Sequence, residues 1–192
     1  MNMRDGMGRW LLVLGLVAVG MVTVATAGRA AEAVSHHQHF TLHSPAFKNG
    51  GRLPKKFTAD GADVSPPLSW SRSPRGTRSL LIIMFDPDAP GPMPFLHWVV
   101  FNIPPGTRSL PAHLPPHKSV AGLHGARQGK NSFGGRGYGG PAPPPGPAHH
   151  YRIAIYALNR KLAYAPDCFR CLQHAIAGHV LAHAEIRVTY GR

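Results

Sequence analysis

Six consecutive apolar residues, Leu80 to Phe85 (LLIIMF), stop at Asp86-Pro87-Asp88-Ala89-Pro90, and no other junction constrains the fold as tightly. A run of that length and continuity predicts a buried strand. The two prolines fix φ and remove backbone donors, so the strand must end there and the turn after it is stiff. Asp86 and Asp88 are therefore expected at the edge of an apolar interior. A second strand-like run, His97 to Ile103 (HWVVFNI), begins seven residues beyond Pro90. If the two strands pair, a histidine and two carboxylates meet at one end of a sheet.

A chain of 192 residues can build one domain with a real core and is short for two. Trp70, after Ser65-Pro66-Pro67-Leu68-Ser69, is expected as a core plug, and 71–77 as a polar loop. Residues 104–131 show no sustained period and are expected to be mostly irregular. Residues 134–147 (GGRGYGGPAPPPGP) hold six glycines and five prolines, which excludes a helix. We expect an ordered loop, because a clear strand follows it. Its side-chain-free backbone N–H groups could approach a bound anion. Tyr151 to Leu158 (YRIAIYAL) alternates as a strand. Leu172, Ala175, Ile176, His179, Val180 and His183 follow a 3.6-residue spacing, so a helix is predicted over 167–183 with Asp167 as N-cap. Glu185 to Tyr190 alternates as a last strand. One helix among many short strands predicts a mainly β, sandwich-like domain with a C-terminal helix.

At the N-terminus, Arg4 and Arg9 precede an apolar stretch from Trp10 to Ala27 and then Ala31-Glu32-Ala33. Basic region, apolar region and A-x-A site in that order predict a signal peptide over 1–33, the alternative being an uncleaved anchor. Either way residues 34 onward are expected outside the cytoplasm, periplasmic or secreted. No cysteine stands directly after the apolar segment, so a lipid-modified N-terminal cysteine is not expected. Residues 34–39 (VSHHQH) read as a flexible leader; His36, His37 and His39 could take up a metal, but an incidental polar tail is the expectation. Without 1–33 the chain has 18 basic and 6 acidic side chains, 18 − 6 = +12. Such a surface favours anionic partners, although no block of five basic residues marks a specific nucleic-acid arm.

Asp60-Gly61 with SPPLSW, DPDAP, His97-Trp98-Val99-Val100 with Asn102, Gly137-Tyr138-Gly139-Gly140-Pro141, Pro143-Pro144-x-Gly146 and His149-x-Tyr151 occur in one order. This series resembles the phosphatidylethanolamine-binding protein family from about Phe40 to Arg192, most closely its bacterial Raf-kinase-inhibitor-like, YbhB/YbcL-type branch. The resemblance implies a two-sheet antiparallel β-sandwich over 40–192 with a terminal helix. It also implies a small pocket for phosphate, acetate or a phospholipid headgroup. The family's pocket residues carry over onto Asp86, His97, the Gly140-Pro141 backbone, His149 and Tyr151, with Asp88 and Trp98 in support. Imidazole, phenol and backbone N–H groups suit anion oxygens. Asp86 is expected to raise the pKa of His97 or His149, or to cap the DPDAP turn. Where the family often has Lys and Arg, this chain has Pro145 and His150, which weakens the case for a doubly charged phosphate. Asp63 stands where bacterial members commonly have Asn.

Cys168 and Cys171, outside the cytoplasm, are permitted a local disulfide or two free thiols. The strand-first context of a thioredoxin motif is missing, and no fourth ligand can be named for a metal set with His174. No G-x-S-x-G elbow appears. The expectation is therefore a non-enzymatic protein without cofactor that binds a small anionic ligand or headgroup. It is expected as monomer or homodimer, meeting a membrane only through an uncleaved N-terminal segment. Two alternatives stand beside it: an inhibitor of an envelope enzyme or kinase-type partner, and a weak acid–base hydrolase using an Asp–His pair.

Overall fold

The computed structural model describes residues 39–192, so the expectations for 1–38 lie outside the described residues. Its strands are β1 (Leu42–His43), β2 (Gly51–Arg52), β3 (Leu68–Trp70), β4 (Ser79–Asp86), β5 (Phe95–Ile103), β6 (Ser109–Leu110), β7 (Arg127–Gln128), β8 (His149–Leu158) and β9 (Val180–Tyr190). The helix α1 (Phe169–Ile176) lies between β8 and β9.

β4 is buried along its whole length, as its apolar run requires. Its side chains alternate between two cores. Leu80, Ile82 and Met84 enter a cluster shared with Leu42, Leu68, Trp70 and Leu110 of the small sheet β1-β3-β6. Leu81, Ile83 and Phe85 enter a second cluster with Leu172 and Ile176 of α1. The six-stranded sheet β2-β9-β8-β4-β5-β7 thus carries a sheet on one face and a helix on the other. A strand covered on both faces shows an unbroken apolar sequence rather than alternation. Trp70 fills its predicted place, 4% exposed, with Nε1 donating to the Thr107 carbonyl at 2.9 Å.

Two expectations need correction. The sheets are not purely antiparallel, because β2 runs parallel to β9. β2 crosses from the small sheet and is no hairpin partner of β9, so no tight turn dictates its direction. The helix is also shorter than predicted and is capped by Cys168, whose Sγ accepts from the Cys171 N–H, not by Asp167. Gly178, at φ +75°, turns the chain after Ala177, and His179 lies in that turn. Val180 and His183 belong to β9, which pairs with β8 from Val180 onward. The alanines at 182 and 184 fit either period, so the glycine decided the boundary.

Candidate functional site

Because β5 and β8 both run antiparallel to β4, the end of β4 meets the starts of its two neighbours. Asp86, His97, His149 and Tyr151 therefore converge from three adjacent strands at one end of the large sheet. They line a cavity of about 240 Å³ with Phe95, Phe133, Pro90 and the loop residues Ala142, Pro143 and Pro144.

His97 reaches this wall through an irregularity in β5. Met84 pairs with Trp98 and Phe85 with Leu96, so His97 is the extra residue of a β-bulge. Bulges re-aim a side chain out of the regular pleat. The His97 ring is 3% exposed, and its Nδ1 lies 2.7 Å from the Gly139 carbonyl. A carbonyl only accepts, so Nδ1 carries the hydrogen and Nε2 of the neutral ring keeps its lone pair. No buried side-chain N or O among the described residues lacks a partner, which leaves Nε2 as the ring nitrogen open to the cavity. Burial holds the His97 pKa below its ordinary 6.5, outweighing the Gly139 carbonyl and Asp86, which act in the other direction. The expectation that a carboxylate raises it is corrected for this histidine, because desolvation penalises the imidazolium more than Asp86 favours it.

Asp86 caps the turn and also contacts a histidine. Its Oδ1 accepts the Asp88 N–H at 2.8 Å and so caps the DPDAP turn. Its Oδ2 accepts from His149 Nδ1 at 2.7 Å, with the His149 side chain 15% exposed and that of Asp86 5%. Burial, the charge of Asp86 and a hydrogen bond with it push the Tyr151 phenol well above its ordinary value, so the hydroxyl keeps its proton at neutral pH. Aromatic rings frame these groups: His97 stands edge-on to Tyr151 at 5.3 Å and to Phe133 at 5.5 Å. Among the described residues, no lysine or arginine lines the cavity.

The other predicted residues lie elsewhere. Asp88 sits at the exposed rim, where His150 donates to it from both backbone N and Nδ1 at 2.7 Å. Those bonds, backbone first, lower its pKa. Trp98 points away from the cavity into the core between the sheets and donates to Gln128 Oε1 at 2.8 Å. The Gly140 N–H is consumed by Asp63 Oδ1 at 2.6 Å, the Gly139 N–H by the His97 carbonyl at 2.9 Å, and the Pro141 carbonyl accepts from Ala59. The loop is thus tied down as expected, and close packing requires Gly139 and Gly140. A Cβ on Gly139 would lie 2.7 Å from the Phe133 ring, and one on Gly140 would lie 2.6 Å from Asp63 Oδ1. Asp63 itself has φ +50°, a backbone that Asn and Asp tolerate best. Phe95 and Phe133 also line the cavity beyond the residues expected from the sequence; Phe95 is two residues from His97 on a strand, and Phe133 is an aromatic beside the glycine loop.

Cys168 and Cys171 are joined as a disulfide. No group of three His, Cys, Asp or Glu is placed to hold a metal among the described residues. No described helix is long and apolar enough to cross a membrane.

The fold is thus a two-layer β-sandwich with a helix on its outer face and a small cavity at one end, walled by Asp, His and aromatic residues. Residues 43–191 match the family model described as phosphatidylethanolamine-binding protein. The chain belongs to that family, in its bacterial YbcL-type branch. It is 43% identical over 154 residues to a UPF0098 protein of Aquifex aeolicus, covering 79% of this chain and 88% of the relative. The crystal structure of Escherichia coli YbcL superposes with a TM-score of 0.74 at 31% identity, over 80% of this chain and 99% of that one. A Mycobacterium tuberculosis relative, LppC, is described as a candidate lipoprotein; it is 42% identical over 127 residues, 66% of this chain and 59% of its own length.

Proposed function

We propose that this is an exported binding protein whose end-of-sandwich cavity holds a small oxyanion or phosphoryl headgroup that brings its own proton. The observation that carries the reading is the His97 Nδ1 bond to Gly139, which leaves Nε2 as an acceptor in a wall without lysine or arginine. A fully ionised phosphate offers such a nitrogen nothing, whereas the monoanion of a phosphomonoester offers one P–OH and that of inorganic phosphate two. The Tyr151 hydroxyl keeps its proton and can turn from Asp86 to donate to a remaining oxygen, whereas His149, whose Nδ1 already donates to Asp86, can donate from Nε2 only as the imidazolium. A cavity of about 240 Å³ suits a headgroup, not a whole lipid. Export is supported by the basic, apolar, A-x-A order of residues 1–33 and by the lipoprotein description of LppC.

The lining offers no Ser, Thr, Cys or Lys nucleophile, which favours binding over covalent catalysis. One contact favours a second reading: the Asp86–His149 pair has the parts of a general base, fitting a weak acid–base hydrolase. The test is a two-dimensional NMR titration of the protein with phosphate, acetate, phosphoethanolamine and glycerophosphoethanolamine, repeated with His97→Ala. Saturable shifts around Asp86, His97 and Tyr151, lost in the variant, support the binding reading. Turnover of a model phosphoester, abolished by Asp86→Asn, would move the function to the second class.

A further inference from the structure

A second concave site lies on the α1 side of the large sheet. A cleft of about 440 Å³ is floored by Phe101, Gly129 and Ala165 and rimmed by Lys118, Arg127, Lys130 and Arg136. The backbone holds these cations together. Arg127 is paired with Phe101 across the β5–β7 ladder and with Ser119 on its other side, and Lys130 is bridged directly to Arg136. Cross-strand partners point to one face, and like charges placed so repel. Arg136 is also fixed, its Nη1 donating to the Gln128 carbonyl at 2.6 Å, which leaves the rest of its five-donor fork for another acceptor.

None of the four has a carboxylate at ion-pair distance among the described residues. Asp60, Asp86, Asp88 and Glu185 are engaged with Arg192, His149, His150 and the Arg152–Arg187 pair, and Asp63 with Gly140. Asp167 alone lines the cleft against four cations. Gly129 is required at the floor, since a Cβ there would meet the Val99 side chain at 3.1 Å and the Ala165 Cβ at 3.3 Å. Tyr164, 71% exposed, stands at the edge as an unburied aromatic surface.

We propose that this cleft is a binding site for a small molecule bearing two linked phosphoryl groups, its oxygens shared among Lys118, Arg127, Lys130 and Arg136 and its organic part laid on Tyr164. Four cations against the one carboxylate of Asp167 leave a local charge of 4 − 1 = +3, more than an orthophosphate dianion neutralises, and two arginine forks match adjacent phosphoryl groups. The site is separate from the His97 cavity and does not depend on it.

The test is calorimetric and NMR titration of the full chain with inorganic pyrophosphate, orthophosphate and a long polyphosphate at fixed ionic strength. Pyrophosphate is expected to bind with one equivalent, about tenfold or more tighter than orthophosphate, with shifts around residues 118, 127, 130 and 136. Arg136→Gln, and separately the exposed pair Lys118→Gln/Lys130→Gln, are each expected to weaken it by about tenfold. Arg72→Gln/Arg75→Gln, which removes the same charge from a distant exposed loop, and His97→Ala are expected to leave it intact. Equal affinity for the two small anions, equal loss in the Arg72/Arg75 variant, or binding of the polyphosphate chain alone overturns the proposal and assigns the cleft to general surface charge.

Discussion

Asp86 and His149 lie 63 residues apart in the chain, yet their side chains meet at 2.7 Å at the mouth of the cavity. The contact exists because β8 enters the sheet antiparallel to β4, so the start of β8 lies beside the end of β4, with His149 two residues before the position opposite Asp86. Asp86→Asn keeps an acceptor for the Asp88 N–H while weakening the bond to His149. Chemical denaturation is expected to show a loss of about 1–3 kcal/mol. Affinity for the proton-bearing ligand should fall further than stability does. Unchanged binding would remove Asp86 from the ligand's environment.

His97 makes stability depend on pH in a defined sense. Its folded pKa is lowered by burial, while the unfolded chain has the ordinary 6.5, so the unfolded state binds more protons between those values. The contribution is complete above about pH 6.5 and falls away as pH drops toward the folded value. Thermal unfolding at pH steps across this window should show that decline in the wild type and a flatter profile in His97→Gln.

Gly140→Ala is expected to cost about 1–3 kcal/mol, because the added Cβ has only backbone and the Asp63 carboxyl to displace. The new atom would stand 2.6 Å from Asp63 Oδ1 and 2.7 Å from the Ala59 nitrogen. If the glycine instead served an anion through its N–H, ligand affinity would drop with stability unchanged. Denaturation and titration of the same variant separate the two.

Asp60 is held down to about 2 by hydrogen bonds from Arg192 first and Tyr190 second. A depressed carboxyl contributes stability above its unfolded value, near 3.9, and loses it as pH falls through the folded one. Arg192→Ala should raise the Asp60 midpoint toward the ordinary range in a carbon-detected NMR titration, and acid unfolding should begin at higher pH.

Reducing the Cys168–Cys171 bond should cost no more than about 2 kcal/mol, since it closes a short loop. The bond stands at the start of α1, which packs on Phe85 of β4 through Phe169, and it is not part of the β4 ladders or of the His97 cavity lining. Hydrogen exchange is expected to rise over 168–176 and to stay unchanged at Met84 and Ile153.

Much of the fold was legible because burial imposes a period. LLIIMF, HWVVFNI and YRIAIYAL all became strands, and the prolines of DPDAP ended β4 at Asp86. The helix was overextended because His179, Val180 and His183 continue the helical spacing of Leu172, Ala175 and Ile176 although they lie in the turn and in β9, and only Gly178 marks the break. At the site, residue types were legible and their partners were not. Nothing near Gly140 announces that its N–H will be taken by a carboxylate 77 residues earlier. Trp98, adjacent to His97, turned out to fill the interior, and the direction of the His97 titration followed from a degree of burial no motif encodes.

The bulge at His97 has a consequence for the rest of its strand. On a regular strand Leu96 and Trp98 would share a face, but Leu96 enters the core beneath α1 and Trp98 the one between the sheets. The extra residue is a parity switch. Losing any single residue from 95–97 would send Trp98 and Val100 to the helix side and Val99 to the sheet side, exchanging the contents of two interiors at once. Substitution at His97 leaves that seam in place, so the pocket can change its chemistry freely while the length of the segment that carries it cannot change.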